Sequence, residues 1–310
     1  MIDIAIIGGG AAGLTAGMYA ARGGCQVTVF ESFLPGGQSA KIRHLENYPG
    51  FAQGVSGVDF VLALQEQASR FGVEFCYETI TGLHLQGEEK LLISAKNRYP
   101  AQTVIIATGA SPRKIGLAGE ERLTGRGVSY CATCDGALFR DQAVAVVGGG
   151  DTALTDALVL ANYAARVYLI HRRDAFRGSF ILQQRVKQTA NIETVMSHVP
   201  KQLIGEDKLQ GLVLQSTVTD LQRTLPVAGL FVAVGVNPQT EFFQDQLELS
   251  GNGAILVDGK MATSCPGVYA AGDCRETPLR QVVTAAADGA VAASSALEYL
   301  ISQGKTLHRS

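Results

Sequence analysis

The 310-residue sequence has no tryptophan, only nine prolines and no block of five or more like charges. Lys and Arg number 26 against 28 Asp and Glu, a formal net charge of −2. The dense basic stripe that binding to a nucleic-acid backbone needs is therefore missing, which disfavours nucleic acid as a partner. No uninterrupted apolar stretch approaches the roughly 18 residues of a membrane span. From Asp3 the chain runs straight into a strand and glycine turn, leaving no room for a signal peptide, so no membrane association and a cytoplasmic location are expected. Metal-ligand patterns are also lacking: His44, His84, His171, His198 and His308 are scattered singly, and the six cysteines contain one close pair. Neither a zinc site nor a disulfide scaffold is expected, and Cys25, Cys76, Cys265 and Cys274 read as small buried apolar residues.

What is present is an ordinary globular composition, 46% apolar and 17% charged. The length suits about two domains at roughly 150 residues each. Thirty-six glycines cluster at particular turns and form no low-complexity tract.

Those turns reveal a repeat. The segment from Ile4 to Gly13 returns in outline, 140 residues on, from Val144 to Ala153. Each copy is a short β-branched run, then G-x-G-x-x-G/A, then a helical stretch (Leu14 to Arg22; Leu154 to Ala165), then a second strand (Val27 to Phe30; Val167 to Ile170). The first glycine makes the tight turn, the second admits a pyrophosphate to the backbone, and the third lets helix and strand pack closely. The candidates are Gly8, Gly10 and Gly13 in the first copy, and Gly148 and Gly150 with Asp151, Thr152 and Ala153 in the second.

The copies differ where a dinucleotide site reads the ribose. Twenty-three residues beyond Gly8 stands Glu31, an acceptor for the adenosine ribose hydroxyls of FAD or NAD. The same count from Gly148 reaches His171, followed by Arg172, Arg173 and Arg177, a set that suits the 2′-phosphate of NADP. A solvated basic surface is the plain alternative for these arginines.

Between the copies, Thr103 to Ala107 reads as a strand ending at Thr108-Gly109, with a linker near 111 to 116. Leu230 to Val234 reads as another buried strand, and the sequence changes character near 238 to 243 before the segments Ala254 to Val257 and Val268 to Asp273. The expected fold is α/β with two Rossmann-like dinucleotide-binding domains, the second inserted into the first. Residues 1–114 and 241–310 make one domain and 115–240 the other.

The close cysteine pair is Cys131-Ala-Thr-Cys134. A CxxC cycles between dithiol and disulfide, one thiol usually with a lowered pKa, so redox exchange is its natural use. Asp135 follows at once, placed either to carry the proton that exchange moves or to cap a helix or turn.

Taken together these residues resemble the low-molecular-weight thioredoxin reductases over roughly residues 1 to 302. The resemblance rests on Gly8 to Gly13, Pro35 to Gln38, Asn47 to Phe51, Cys131 to Gly136, Gly148 to Ala153, His171 to Arg177, Gly272-Asp273 and Arg280 to Val282. It implies a FAD domain in two segments, an inserted NADPH domain carrying the CxxC and able to reorient at the two crossings, thioredoxin as substrate, and a homodimer. Gly8, Gly10, Gly13 and Glu31 would hold the adenosine half of FAD. Gly37, Gln38, Asn47 and Thr108 would complete its site, with Asp273 on the ribityl chain and Arg280, Gln281 and Val282 at the pyrimidine edge. Cys134 would face the flavin, Cys131 would exchange with thioredoxin, and Asp135 would donate the proton.

Two departures stand out. Thr155-Asp156 replaces a Glu-Glu pair common in NADPH-using members, and Cys274 follows Asp273 where an apolar residue is usual. The first points toward a ferredoxin-dependent branch, whereas Arg172, Arg173 and Arg177 favour NADPH, which leads. A dithiol oxidase acting on small molecules and a non-catalytic flavin redox sensor are the remaining alternatives.

Overall fold

The computed structural model describes residues 1–42, 44–45 and 47–305. Residues 306–310, whose role the sequence leaves open, lie outside that set. The chain forms two compact units, Met1–Ser111 with Asn237–Ser310 and, inserted between these segments, Pro112–Val236. The crossings fall at 111/112 and 236/237, a few residues before the expected 114/115 and 240/241.

In the first segment β1 (Ile2–Ile7) is a β-branched run that buries its last four residues and enters, through the glycine turn, helix α1 (Ala11–Arg22). Strand β2 (Val27–Phe30) returns parallel to β1, with Ile4 opposite Val27. Helix α2 (Gly57–Arg70) starts at Ser56, whose hydroxyl accepts the Asp59 N–H at 3.0 Å. It delivers β3 (Glu74–Cys76) parallel to β2. An antiparallel meander follows: β4 (Ile80–His84), β5 (Lys90–Ser94) and β6 (Arg98–Ile106), the last lying parallel to β1. The sheet order is β3-β2-β1-β6-β5-β4.

Strand β7 (Ala110–Pro112) leads into the inserted unit. Short elements α3 (Glu120–Leu123), β8 (Val128–Ser129) and α4 (Ala132–Asp135) precede the second βαβ unit, made of β9 (Ala143–Gly148), α5 (Asp151–Leu160) and β10 (Arg166–Ile170). Helix α5 stops five residues before the Ala165 expected from periodicity. The Asn162 side-chain amide turns back to donate to the carbonyls of Leu158 and Val159 at 3.1 and 3.2 Å, satisfying the helix end. Helix α6 (Phe180–Gln188) leads to β11 (Ile192–Val195). An antiparallel sheet of β12 (His198–Ile204), β13 (Gly211–Ser216) and β14 (Gln222–Leu225) follows, then β15 (Gly229–Ala233). The parallel sheet runs β11-β10-β9-β15-β8.

The return segment begins with β16 (Val236–Pro238). Strand β17 (Val268–Ala270) adds to β6 in parallel, and helix α7 (Val282–Ser302) closes the first unit. In the segment 254–257, Ile255 forms isolated bridges to Leu249 and Arg275. Small residues let α7 and α1 lie close. Ala12, Ala16 and Ala20 share a buried cluster with Ala292, Ala293 and Ala296, and a side chain at Gly289 would strike the Ala12 carbonyl. Both glycine turns thus sit at the carboxyl ends of parallel strands, where open α/β sheets bind ligands. Among the described residues no helix is long and apolar enough to cross a membrane.

Candidate active site

The first glycine turn is built by close backbone approach. Gly8 has φ +107°, and a Cβ there would meet the Ala107 carbonyl. One at Gly13 would strike the Gly8 oxygen, so the third fingerprint position tolerates no side chain. Gly10 faces open space at the N-terminus of α1, whose first amides receive no side-chain cap among the described residues. The next loop closes on this turn: Gly36 N–H donates to the Gly9 carbonyl at 2.7 Å, and Gly37 lies against Gly10. Gln38 beside it is exposed. At the end of β2 the Glu31 carboxylate accepts the N–H groups of Gly9 at 2.9 Å and Ser32 at 2.7 Å, which fixes it beside the glycine turn.

The return segment supplies the other half of the cradle. Asn47 Nδ2 donates to Gln281 Oε1 at 2.9 Å, tying the two candidate ring neighbours together. Gln281 caps α7 reciprocally with Thr284, and Val282 begins the helix. Thr108 donates to the Gln239 carbonyl at 2.7 Å. Burial pushes the Asp273 carboxyl above its ordinary range, opposed by Arg280, and the carboxylate accepts no hydrogen bond among the described residues. Arg280 is the telling residue, because its Nε and Nη2 are buried without an acceptor. A buried guanidinium left unpaired is costly. An acceptor-rich ring edge satisfies it, so these residues fit a flavin dinucleotide.

The second turn repeats this geometry. A Cβ at Gly148 would meet the Ala233 carbonyl, and one at Gly149 would enter the His171 ring. Gly150 again opens onto an uncapped helix start, here α5. Asp151 is committed locally: its Oδ1 accepts the Ser179 N–H at 2.6 Å. Thr152 is exposed beside it. His171 is only 5% exposed, and burial, aided by the charges of Arg177, Arg173 and Arg172, lowers its pKa below the ordinary value, so the ring is neutral near pH 7. The accessible positive charge rests on Arg172, Arg173 and Arg177, all exposed and none in an ion pair among the described residues. Arg177 N–H donates to the Gly149 carbonyl at 2.7 Å, which ties the arginine loop to the turn. An exposed arginine trio beside free helix amides fits a phosphorylated dinucleotide.

Cys131 and Cys134 form a disulfide across α4, within the inserted unit. The Cys134 N–H donates to Cys131 Sγ at 3.2 Å, and Thr133 Oγ1 lies 3.3 Å from the same sulfur. Asp135 ends the helix, its Oδ2 accepting the Ser129 hydroxyl at 2.7 Å. Among the described residues no group of three or more His, Cys, Asp or Glu side chains converges to hold a metal ion.

Sequence reasoning missed Ser129, which carries no motif signal two residues before a cysteine. It also missed Asp288, which did have one: a lone carboxylate within an alanine-rich helical run. Asp288 is buried and pairs with Arg275. Of the four remaining cysteines, Cys25, Cys265 and Cys274 are buried as expected, and burial raises the Cys274 thiol to about 11. Cys76 departs from that expectation. It is only partly buried, with Sγ 3.4 Å from the Tyr99 hydroxyl, because β3 forms an edge of its sheet.

The family model for pyridine nucleotide-disulphide oxidoreductases matches residues 2–289. The chain is 43% identical over 308 residues to a thioredoxin reductase of Helicobacter pylori, covering 97% of this chain and 99% of that protein. It is 42% identical to a thioredoxin reductase of Mycolicibacterium smegmatis, with 97% of each covered. Among solved structures it is similar to the thioredoxin reductase of Streptococcus pyogenes, with a TM-score of 0.89 and 40% identity over 97% of this chain and 99% of that one.

Proposed function

The chain belongs to the pyridine nucleotide-disulphide oxidoreductase family and, within it, to the low-molecular-weight thioredoxin reductases, and on that premise we propose that it passes electrons from NADPH through FAD and the Cys131–Cys134 disulfide to thioredoxin. The observation that carries this reading is the disulfide itself, which lies beside an acceptor carboxylate in a unit that also holds a phosphate-ready glycine turn.

FAD, when bound, supplies the two-electron chemistry that links a hydride donor to a disulfide. Gly8, Gly10 and Gly13 would leave room for its pyrophosphate, Glu31 would accept the ribose hydroxyls, Asp273 would serve the ribityl chain, and Arg280, Gln281 and Val282 would hold the pyrimidine edge. Gly37, Gln38, Asn47 and Thr108 complete the wall. In the inserted unit Arg172, Arg173 and Arg177 would hold the 2′-phosphate of NADPH, while Gly148, Gly150, Asp151 and Thr152 would line its pyrophosphate. His171, being neutral, serves as the floor beneath Gly149.

Two electrons and two protons convert the Cys131–Cys134 disulfide to the dithiol. Cys131, the outer sulfur by family resemblance, attacks one sulfur of the thioredoxin disulfide as a thiolate and releases the other. The Cys134 N–H that reaches Cys131 Sγ stabilises negative charge there. Cys134 then attacks Cys131, freeing dithiol thioredoxin and restoring the intramolecular disulfide. Asp135 moves the proton that one departing thiolate takes up. We also assign the protein to the cytoplasm as a homodimer, which sedimentation of the purified flavoprotein checks.

Anaerobic titration of the holoprotein separates the alternatives. Loss of flavin absorbance with stoichiometric NADPH, coupled to thioredoxin thiol formation and abolished in the second step alone by Cys131→Ser, is the expected result. Bleaching by reduced ferredoxin and not by NADPH would replace the donor. Transfer to oxygen with small dithiols would indicate an oxidase, and a single stoichiometric reduction without turnover a sensor. The relatives of 42 to 43% identity lend no support to the ferredoxin reading.

A further inference from the structure

Asp135 must hold a proton at one stage of the exchange and lack it at another, and its carboxylate makes one hydrogen bond among the described residues, to Ser129. Ser129 lies on β8, is 5% exposed, and is held in register by Phe231 of β15 opposite it. Its hydroxyl donates to Asp135 Oδ2 at 2.7 Å and accepts the Cys131 N–H at 3.1 Å, and the Cys131 carbonyl lies 3.4 Å away. The neighbouring residue anchors the strand end. Tyr130 donates to Glu120 Oε1 at 2.7 Å, and the same buried carboxylate accepts the N–H groups of Ile115 and Gly116 at 3.0 and 2.8 Å.

We propose that Ser129 is a positioning residue for the proton-carrying carboxylate, its hydroxyl turning between two acceptors so that both protonation states of Asp135 are met by a hydrogen bond. The proposal rests on the role given to Asp135 above. A serine hydroxyl offers one donor and two acceptor sites. With Asp135 ionised, the hydroxyl donates to Oδ2, a charge-assisted bond consistent with its 2.7 Å length. With Asp135 protonated on Oδ2, the acid donates to Ser129 Oγ and the hydroxyl hydrogen turns to the Cys131 carbonyl. In both states Oγ still accepts the Cys131 N–H. Serine neither gains nor loses a proton: the transferred proton passes only between Asp135 and a sulfur. The fixed backbone of β8 makes this a rotation of one O–H bond, with no rearrangement of the loop.

The test compares Ser129→Thr, which keeps the hydroxyl, with the nearly isosteric Ser129→Val in the holoenzyme. Asp135→Asn serves as the reference, and thioredoxin reduction is followed from pH 6 to 9. The Thr variant should retain the parent pH profile. The Val variant should lower thioredoxin turnover roughly tenfold, a part of the span expected for assisted proton transfer. It should also displace the profile in the direction that Asp135→Asn does, with the rate of flavin reduction by NADPH unchanged. Coincident Thr and Val profiles alongside a displaced Asp135→Asn profile would overturn the role of Ser129 alone. An unmoved Asp135→Asn profile would remove the assignment of Asp135, and this proposal with it. If the Val variant melts early or loses flavin, Ser129→Ala takes its place under the same criteria.

Discussion

Replacing Asp288 by alanine should destabilise the first unit far more than its place on a surface-packed helix suggests. Asp288 sits within α7, and its carboxylate takes both forks of the Arg275 guanidinium, Nε to Oδ2 at 2.7 Å and Nη2 to Oδ1 at 2.6 Å. Oδ2 also accepts the Gly272 N–H at 3.1 Å, at the turn that presents Asp273. The two side chains are 14% and 10% exposed, so the pair is largely withdrawn from water. Asp288→Ala leaves a desolvated guanidinium without its counter-charge, which costs about 3–5 kcal/mol. The orphaned Gly272 amide shares an atom with that loss, so the two effects do not add. Replacing both partners, as Arg275→Met with Asp288→Leu, removes the charge altogether and leaves chiefly the amide, at about 1–3 kcal/mol. Urea unfolding at one fixed FAD concentration, followed by far-ultraviolet circular dichroism and by flavin fluorescence on release, measures both variants. The single variant should be the less stable and should release flavin at lower urea. A loss under about 1 kcal/mol for Asp288→Ala, or a double variant no better than the single one, would refute the account.

Other expectations follow from the same geometry. Arg172→Gln alone should raise the KM for NADPH by about ten- to a hundredfold and leave use of NADH nearly unchanged, since one charge-assisted bond contributes about 1.5–3 kcal/mol; steady-state kinetics with both nucleotides checks this. Gly149→Ala drives a methyl group into the His171 ring, so nucleotide titration should show weakened NADPH binding while flavin content is kept. Burial raises the Asp156 carboxyl from 3.8 to about 7. Between those values the folded chain retains a proton the unfolded chain has released, so this group's contribution to stability falls as pH rises from about 4 to about 7, by at most about 4 kcal/mol. Asp156→Asn should therefore raise the melting temperature at pH 8, leave it nearly unchanged at pH 4 and flatten the decline between; an unchanged melting profile would refute the burial argument.

The sequence by itself determined the two glycine turns, their strands and helices, the parallel α/β class and the close cysteine pair. These are written in local chemistry: β-branched runs, residues without a Cβ where backbones meet, and two thiols three positions apart. It also marked the crossings to within a few residues, because turn-forming composition is local too. Only the tertiary structure decided which side chains serve those turns. Arg280 is an unpaired donor because packing of the return segment buries its Nε and Nη2, and the His171 pKa is lowered because burial and the neighbouring arginines disfavour its charged form. Asp135 meets Ser129 because β8 pairs with β15, a strand about a hundred residues away in the sequence. Burial and hydrogen-bond partnership depend on distant segments packed together, and no pattern of spacing along the chain encodes them.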